Sequence, residues 1–323
     1  MRSLQVVFCA LLALVVLATV SQCRRHRVKL NDQDQDYTLQ HEGRERSYVL
    51  HLPYRPGAAA VDSAIPRPLL IVLHGGGGSA KGMINLTKGR FRELADAHNF
   101  YVVYPQGYEK GWNDGRNDVR STASKENIDD VGFLRQVIDR VAAEVPIDRT
   151  RVFATGMSNG GFMSMRLACQ LSDRIRAVAA VTAQLSVDLL PQCRPTRPVG
   201  VLLINGTDDP LVPYAGGEVS LFRQKRGKII STEDTFRFWA RHNRCRGSVN
   251  VSQLPDLDPA DETRIELHRY AGCAFGRDTR LLKVMGGGHT WPQGLPYFSE
   301  RLIGKVSQDL DASQAIWRFF ESQ

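Results

Sequence analysis

The sequence predicts an α/β fold, a doubly wound and mostly parallel sheet with helices on both faces. Continuous apolar runs such as "PLLIVLHGGGG" (68–78) alternate with stretches whose apolar residues recur at helical spacing, and strands buried on both faces read as unbroken apolar runs. Most of these runs end in glycine or proline, where a strand hands over to a loop and helix. The 323 residues are 42% hydrophobic and 24% charged, an ordinary globular balance with enough apolar surface to cover such a sheet twice.

Residues 1–21 read as a secretory signal peptide. Arg2 precedes the apolar run "LQVVFCALLALVVLATV", and Thr19 and Ser21 supply small residues before a cleavage that leaves Gln22 first. A membrane anchor is less favoured, because the run is near the lower length limit for a span; no stable span is expected after cleavage. Lipidation of Cys23 is also less favoured, since Gln22 is not the small residue expected before it. Residues 22–40 are assigned to an N-terminal tail and 41–323 to a single domain.

Within that domain "YVLHLP" (48–53) alternates and reads as an early edge strand, and the 68–78 run as a central one. "GRFRELADAHNF" (89–100) has helical spacing, and "YVVYPQG" (101–107) is the next strand. The stretch 127–145 places Ile128, Val131, Leu134, Ile138 and Val141 on one helical face. A strand at 152–155 then meets "GMSNGGFMSM", which turns helical. "IRAVAAVTA" (175–183), "PVGVLLINGT" (198–207) and "TRLLKVMGGGH" (279–289) are further strands. Helices are expected at 231–243, capped by Ser231 or Thr232, and at 309–320. Residues 55–68 and 253–264 read as surface loops.

Export puts the remaining cysteines in an oxidising compartment. Cys169, Cys193, Cys245 and Cys273 allow three pairings; neighbouring pairing is preferred because each pair then brackets one local excursion. The net charge of +8 comes from 42 Lys+Arg against 34 Asp+Glu. The basic residues are scattered apart from "RRHR" (24–27) and "RQKRGK" (223–228), and neither run carries base-stacking aromatics. No nucleic-acid partner is expected, and the runs read as solvated surface.

Chemistry enters at the strand ends. Ser158 lies in Gly-x-Ser-x-Gly between a strand and a helix, the sharp turn that exposes a nucleophilic hydroxyl. A serine needs a base, and the base an orienting acid. In chain order "INGTDDPLVPY" offers Asp208 and Asp209, and "MGGGHTWP" offers His289, each just past a strand. His242 and His268 read as loop histidines. Backbone amides of Asn159 and of Gly75 or Gly76, in "HGGGG", suit an oxyanion hole. The glycine loop lacks phosphate-loop and dinucleotide spacing, and no metal-ligand motif is present, so neither cofactor nor metal is expected. Trp112 and Asn113 in "GYEKGWNDGRND", with Trp291 after the histidine, are candidate substrate contacts, whereas Trp239 and Trp317 read as core.

Taken together, "LHGGGGSA", "YPQGYEKGWND", "GMSNGGFMSMRLAC", "NGTDDPLVPYAGG" and "GGGHTWPQ" resemble the secreted poly(3-hydroxybutyrate) depolymerase and feruloyl esterase family of α/β-hydrolases, from about residue 40 onward. The resemblance implies an α/β-hydrolase fold, a Ser158–Asp209–His289 triad and the disulfides Cys169–Cys193 and Cys245–Cys273. It implies a secreted or periplasmic serine carboxylesterase acting on small, oligomeric or polymer-derived esters: hydroxyalkanoate oligomers, or hydroxycinnamoyl or acetyl esters of sugars. No separate substrate-binding domain is evident, so bulk crystalline polymer is not an expected substrate. The competing readings are a serine peptidase with the same triad and a catalytically silent envelope protein that binds carbohydrate or partners.

Overall fold

The computed structural model describes residues 32–54, 65–221, 223–270 and 272–323. The signal peptide, Cys23 and residues 55–64 of the first surface loop lie outside the described residues. Twelve strands are found among the described residues: β1 (Asp34–His41), β2 (Arg44–His51), β3 (Arg67–Leu73), β4 (Tyr101–Pro105), β5 (Ile147–Met157), β6 (Ala177–Val181), β7 (Gly200–Gly206), β8 (Gly217–Leu221), β9 (Gln224–Ile229), β10 (Val249–Gln253), β11 (Arg264–Tyr270) and β12 (Thr279–Met285). Eight α-helical segments accompany them: α1 (Ala80–Leu86), α2 (Arg90–His98), α3 (Thr122–Lys125), α4 (Asp130–Glu144), α5 (Asn159–Gln170), α6 (Thr232–His242), α7 (Glu300–Ile303) and α8 (Ala312–Glu321).

Ten strands form one sheet in the order β1-β2-β4-β3-β5-β6-β7-β12-β11-β10, with β8 and β9 as a separate hairpin. The run from β4 to β12 is parallel, and antiparallel pairs extend it on both sides. Side-chain alternation divides the core. Leu69, Ile71 and Leu73 of β3 face one cluster with Phe133 of α4, Phe162 of α5 and Trp239 of α6. Leu70 and Val72 face the other, with Met83 of α1, Phe91 of α2 and Trp317 of α8. This is the doubly wound arrangement expected of the apolar runs, and it is an α/β-hydrolase fold.

Three placements differ from the sequence expectation. Residues 48–53 are not an edge strand: β2 lies between β1 and β4. Residues 34–40, assigned to a tail, are most of β1, whose Tyr37 ring stacks on Tyr48 of β2 at 5.1 Å. The polar composition of β1 conceals it, because an outer strand needs no continuous apolar face. His242 ends α6 and His268 lies in β11, so neither is in a loop. The disulfides are Cys169–Cys193 and Cys245–Cys273. Gln323 is buried at the sheet's far margin, where its backbone oxygen accepts from Arg176 Nε and Arg277 Nη1 and its Oε1 from the Asp278 amide.

The strand order reverses direction around β3 and β5, the place where such sheets leave a crevice beyond their carboxyl ends. The loops after β3, β5, β7 and β12 all open there.

Candidate active site

The turn after β5 is built by close approach. A methyl group on Gly160 would lie 2.3 Å from the Leu73 carbonyl oxygen, and one on Gly156 2.5 Å from the Gly160 carbonyl carbon. Only glycine lets α5 start so near β3 and β5. Ser158 between them holds φ 54° and ψ −120°, outside the relaxed regions for an L residue. Its amide donates to Val181 O and its carbonyl accepts from the Phe162 amide, so the strain is held between β6 and the first turn of α5.

Past β7, Asp209 is buried and fully engaged. Its Oδ1 accepts from the amides of Leu211 and Val212, both at 2.8 Å, and its Oδ2 meets His289 Nδ1 at 2.7 Å. An ionised carboxylate can only accept, so Nδ1 carries a proton, and in the neutral imidazole that leaves the lone pair on Nε2. Asp208 is exposed and accepts instead from the Thr207 hydroxyl. His289 is fixed through its backbone: its amide donates to Ile303 O, and the Gly288 amide to Lys305 O. Among the described residues the imidazole's hydrogen bond is the one to Asp209, and none joins Nε2 to Ser158 Oγ. In related chemistry that contact commonly tightens only when substrate is bound.

The loop after β3 is locked by His74. Its Nε2 accepts from the Gly107 amide at 2.9 Å, which places the other proton on Nδ1, donating to Gly75 O at 2.8 Å. The Gly78 amide donates to the same oxygen. Two donors therefore fix the Gly75–Gly76 peptide plane, and in a trans peptide the Gly76 N–H points the opposite way. A methyl on Gly76 would lie 3.7 Å from Asn159 Cβ, so the loop abuts the start of α5. Burial lowers the His74 pKa to about 4 and keeps the ring neutral.

The proposed substrate contacts require correction. Trp112 is fully buried; its Nε1 donates to His74 O at 2.9 Å, its amide to Asn159 Oδ1, and its carbonyl accepts from Asn159 Nδ2. It clamps the loop after β3 onto Asn159 and presents no wall to a ligand. Asn113 is also buried, its amide held by Asp130 and its Nδ2 by Asn127 and Ile128 O. Trp291 packs edge-on against Phe91 in the core, with Nε1 on Ser313 Oγ. Aromatic residues in polar loops read as exposed, but here the indole donor has a buried carbonyl to satisfy. Asp114, which the sequence did not single out, accepts from Asn159 Nδ2 at 2.6 Å while paired with Arg116. The dense charges of "GWNDGRND" beside a strand end were the available signal.

A sequence profile described as phospholipase/carboxylesterase matches residues 60–246. The chain belongs to that family of α/β-hydrolases. It is an enzyme of carboxylic ester bonds. The protein named "Putative esterase NocK" of Nocardia uniformis subsp. tsuyamanensis is 32% identical over 287 residues, covering 84% of this chain and 78% of its own. Feruloyl esterase D of Neurospora crassa is 27% identical over 322 residues, covering 96% of this chain and 93% of its own. Among solved structures, the acetyl xylan esterase from Aspergillus awamori superposes with a TM-score of 0.57 at 10% identity, over 90% of this chain and all of that one. That likeness concerns the fold alone.

Proposed function

We propose that this enzyme is a secreted serine carboxylesterase that cleaves hydroxycinnamoyl or acetyl esters of sugars through an acyl-enzyme on Ser158. The observation that carries the reading is the buried Asp209–His289 pair, with the carboxylate held by two amides and Nε2 left as the base. Ser158 Oγ attacks the ester carbonyl while Nε2 takes its proton. The carbonyl oxygen becomes an oxyanion held by the amides of Asn159 and Gly76. His74 favours Gly76 over Gly75, because it fixes the peptide that carries the Gly76 N–H. The tetrahedral intermediate then collapses, Nε2 protonates the departing alcohol, and water repeats the sequence to release the acid and restore Ser158.

The names of the relatives support sugar esters over hydroxyalkanoate oligomers, and two disulfides support an oxidising destination such as the periplasm or exterior. A fluorophosphonate probe and an ester panel test the reading together. Labelling confined to Ser158, lost in Ser158→Ala, with turnover of methyl ferulate or acetylated xylan, is expected. Labelling without ester turnover would favour a peptidase, and no labelling of folded protein a silent binder.

A further inference from the structure

With Trp112 and Trp291 buried, the aromatic surface that borders His289 is elsewhere. Tyr297, Phe298 and Leu302 are 39%, 48% and 45% exposed, three large apolar side chains within six residues. Such clustering on a folded surface usually marks a contact site. The Tyr297 hydroxyl donates to the His289 carbonyl oxygen at 2.8 Å, and the rings of Tyr297 and Phe298 stand edge to face at 5.4 Å. Asp209 is near enough to add its charge to burial in raising the Tyr297 pKa. The segment is a strap fastened at both ends: the Leu295 amide donates to Leu86 O of α1, and Ile303 O accepts from the His289 amide. It is therefore ordered before any ligand arrives.

We propose that Tyr297 and Phe298 form the subsite for the alcohol half of the ester, a stacking platform for the sugar ring that departs. This rests on the serine-esterase reading and deepens it. The direction follows from proton transfer. Oxyanion donors at Gly76 and Asn159 draw the carbonyl oxygen to one side, and the leaving oxygen must lie within reach of His289 Nε2 to receive its proton. The alcohol therefore lies over the strand-β12 side of the site, which the strap borders. A sugar ring offers a face of C–H groups, and flat aromatic rings with a polar rim bury that face without leaving its hydroxyls unpaired. Methanol is too small to reach the strap.

The test compares two esters of one acid, ferulic or acetic: the methyl ester and the ester on an arabinoxylan oligosaccharide. Phe298→Ala should lower the ratio of kcat/KM for the oligosaccharide ester to that for the methyl ester about tenfold, chiefly through KM. Phe298→Tyr should keep the ratio, and Leu257→Ala, an exposed change elsewhere, should leave both esters as in the wild type. Equal rates of fluorophosphonate labelling at Ser158 show that each variant is folded with its nucleophile intact. An unchanged ratio in labelled Phe298→Ala overturns the subsite and leaves the esterase reading standing. A wild type that cleaves neither ester overturns both.

Discussion

Asp209 and Asp208 are neighbours with opposite surroundings, and single substitutions separate them. On the triad reading, Asp209→Asn keeps the shape but lets the amide present the wrong group to Nδ1, and kcat should fall by about 10³–10⁴. Asp208→Asn, on the exposed side, should stay within about twofold; steady-state kinetics on one soluble ester checks both. His74 makes a second prediction at this scale. Its folded pKa of about 4 lies below the ordinary value of 6.5, so the unfolded chain binds more protons between those values. Stability therefore falls as pH drops from 6.5 toward 4, by about 3 kcal/mol in all. Urea midpoints should show this slope in the wild type and a shallower one in His74→Gln. The pairing of Asp209 with His289 and the place of Ser158 between β5 and α5 were legible because each residue follows an apolar run. The roles of Trp112, Asn113 and Trp291 were not, because burial of a loop residue depends on partners distant in sequence, such as the His74 carbonyl and Asn159 amide for Trp112.

The β5–Ser158–α5 turn shows how an element sets a site. Gly160→Ala puts a methyl 2.3 Å from Leu73 O, which is backbone and cannot step aside. Loss of soluble protein, or destabilisation above about 3 kcal/mol by denaturant titration, is expected. By contrast Ser231 caps α6 through the Asp234 amide in an exposed position, and Ser231→Ala should cost about 1 kcal/mol without changing turnover. The parallel strands β3, β4, β6 and β7 are buried along their whole length, so composition alone announces them. The strands that escaped notice are β1, the β8–β9 hairpin, β10 and β11. All have mixed burial, and β10 keeps four of its five residues exposed. Their pairing is dictated by backbone hydrogen bonds to a neighbour, which side-chain pattern does not record. The basic run 223–228, read as solvated surface, is largely β9.

Across the whole molecule, the two disulfides cover different territory. Cys169–Cys193 ties the end of α5 to the segment before β7, and Cys245–Cys273 ties the end of α6 to the loop before β12. Closing loops with sequence separations of 24 and 28 residues limits the unfolded chain, worth about 3–4 kcal/mol each on the chain-entropy account. Reduction under native conditions should lower the melting temperature, and the double variant Cys245→Ser with Cys273→Ser should reproduce part of that loss. The sheet order was only partly legible, since β4 and β5 flank β3 out of chain order and nothing in local sequence records that crossing.

The seat of Gln323 has a practical corollary. Its side chain and backbone oxygen are already spoken for by Arg176, Arg277 and Asp278. An affinity tag fused directly after this residue would have to lead away from a buried anchorage and would loosen the rim where β6, β7 and β12 begin. Side-by-side melting curves with and without such a fusion should show the loss.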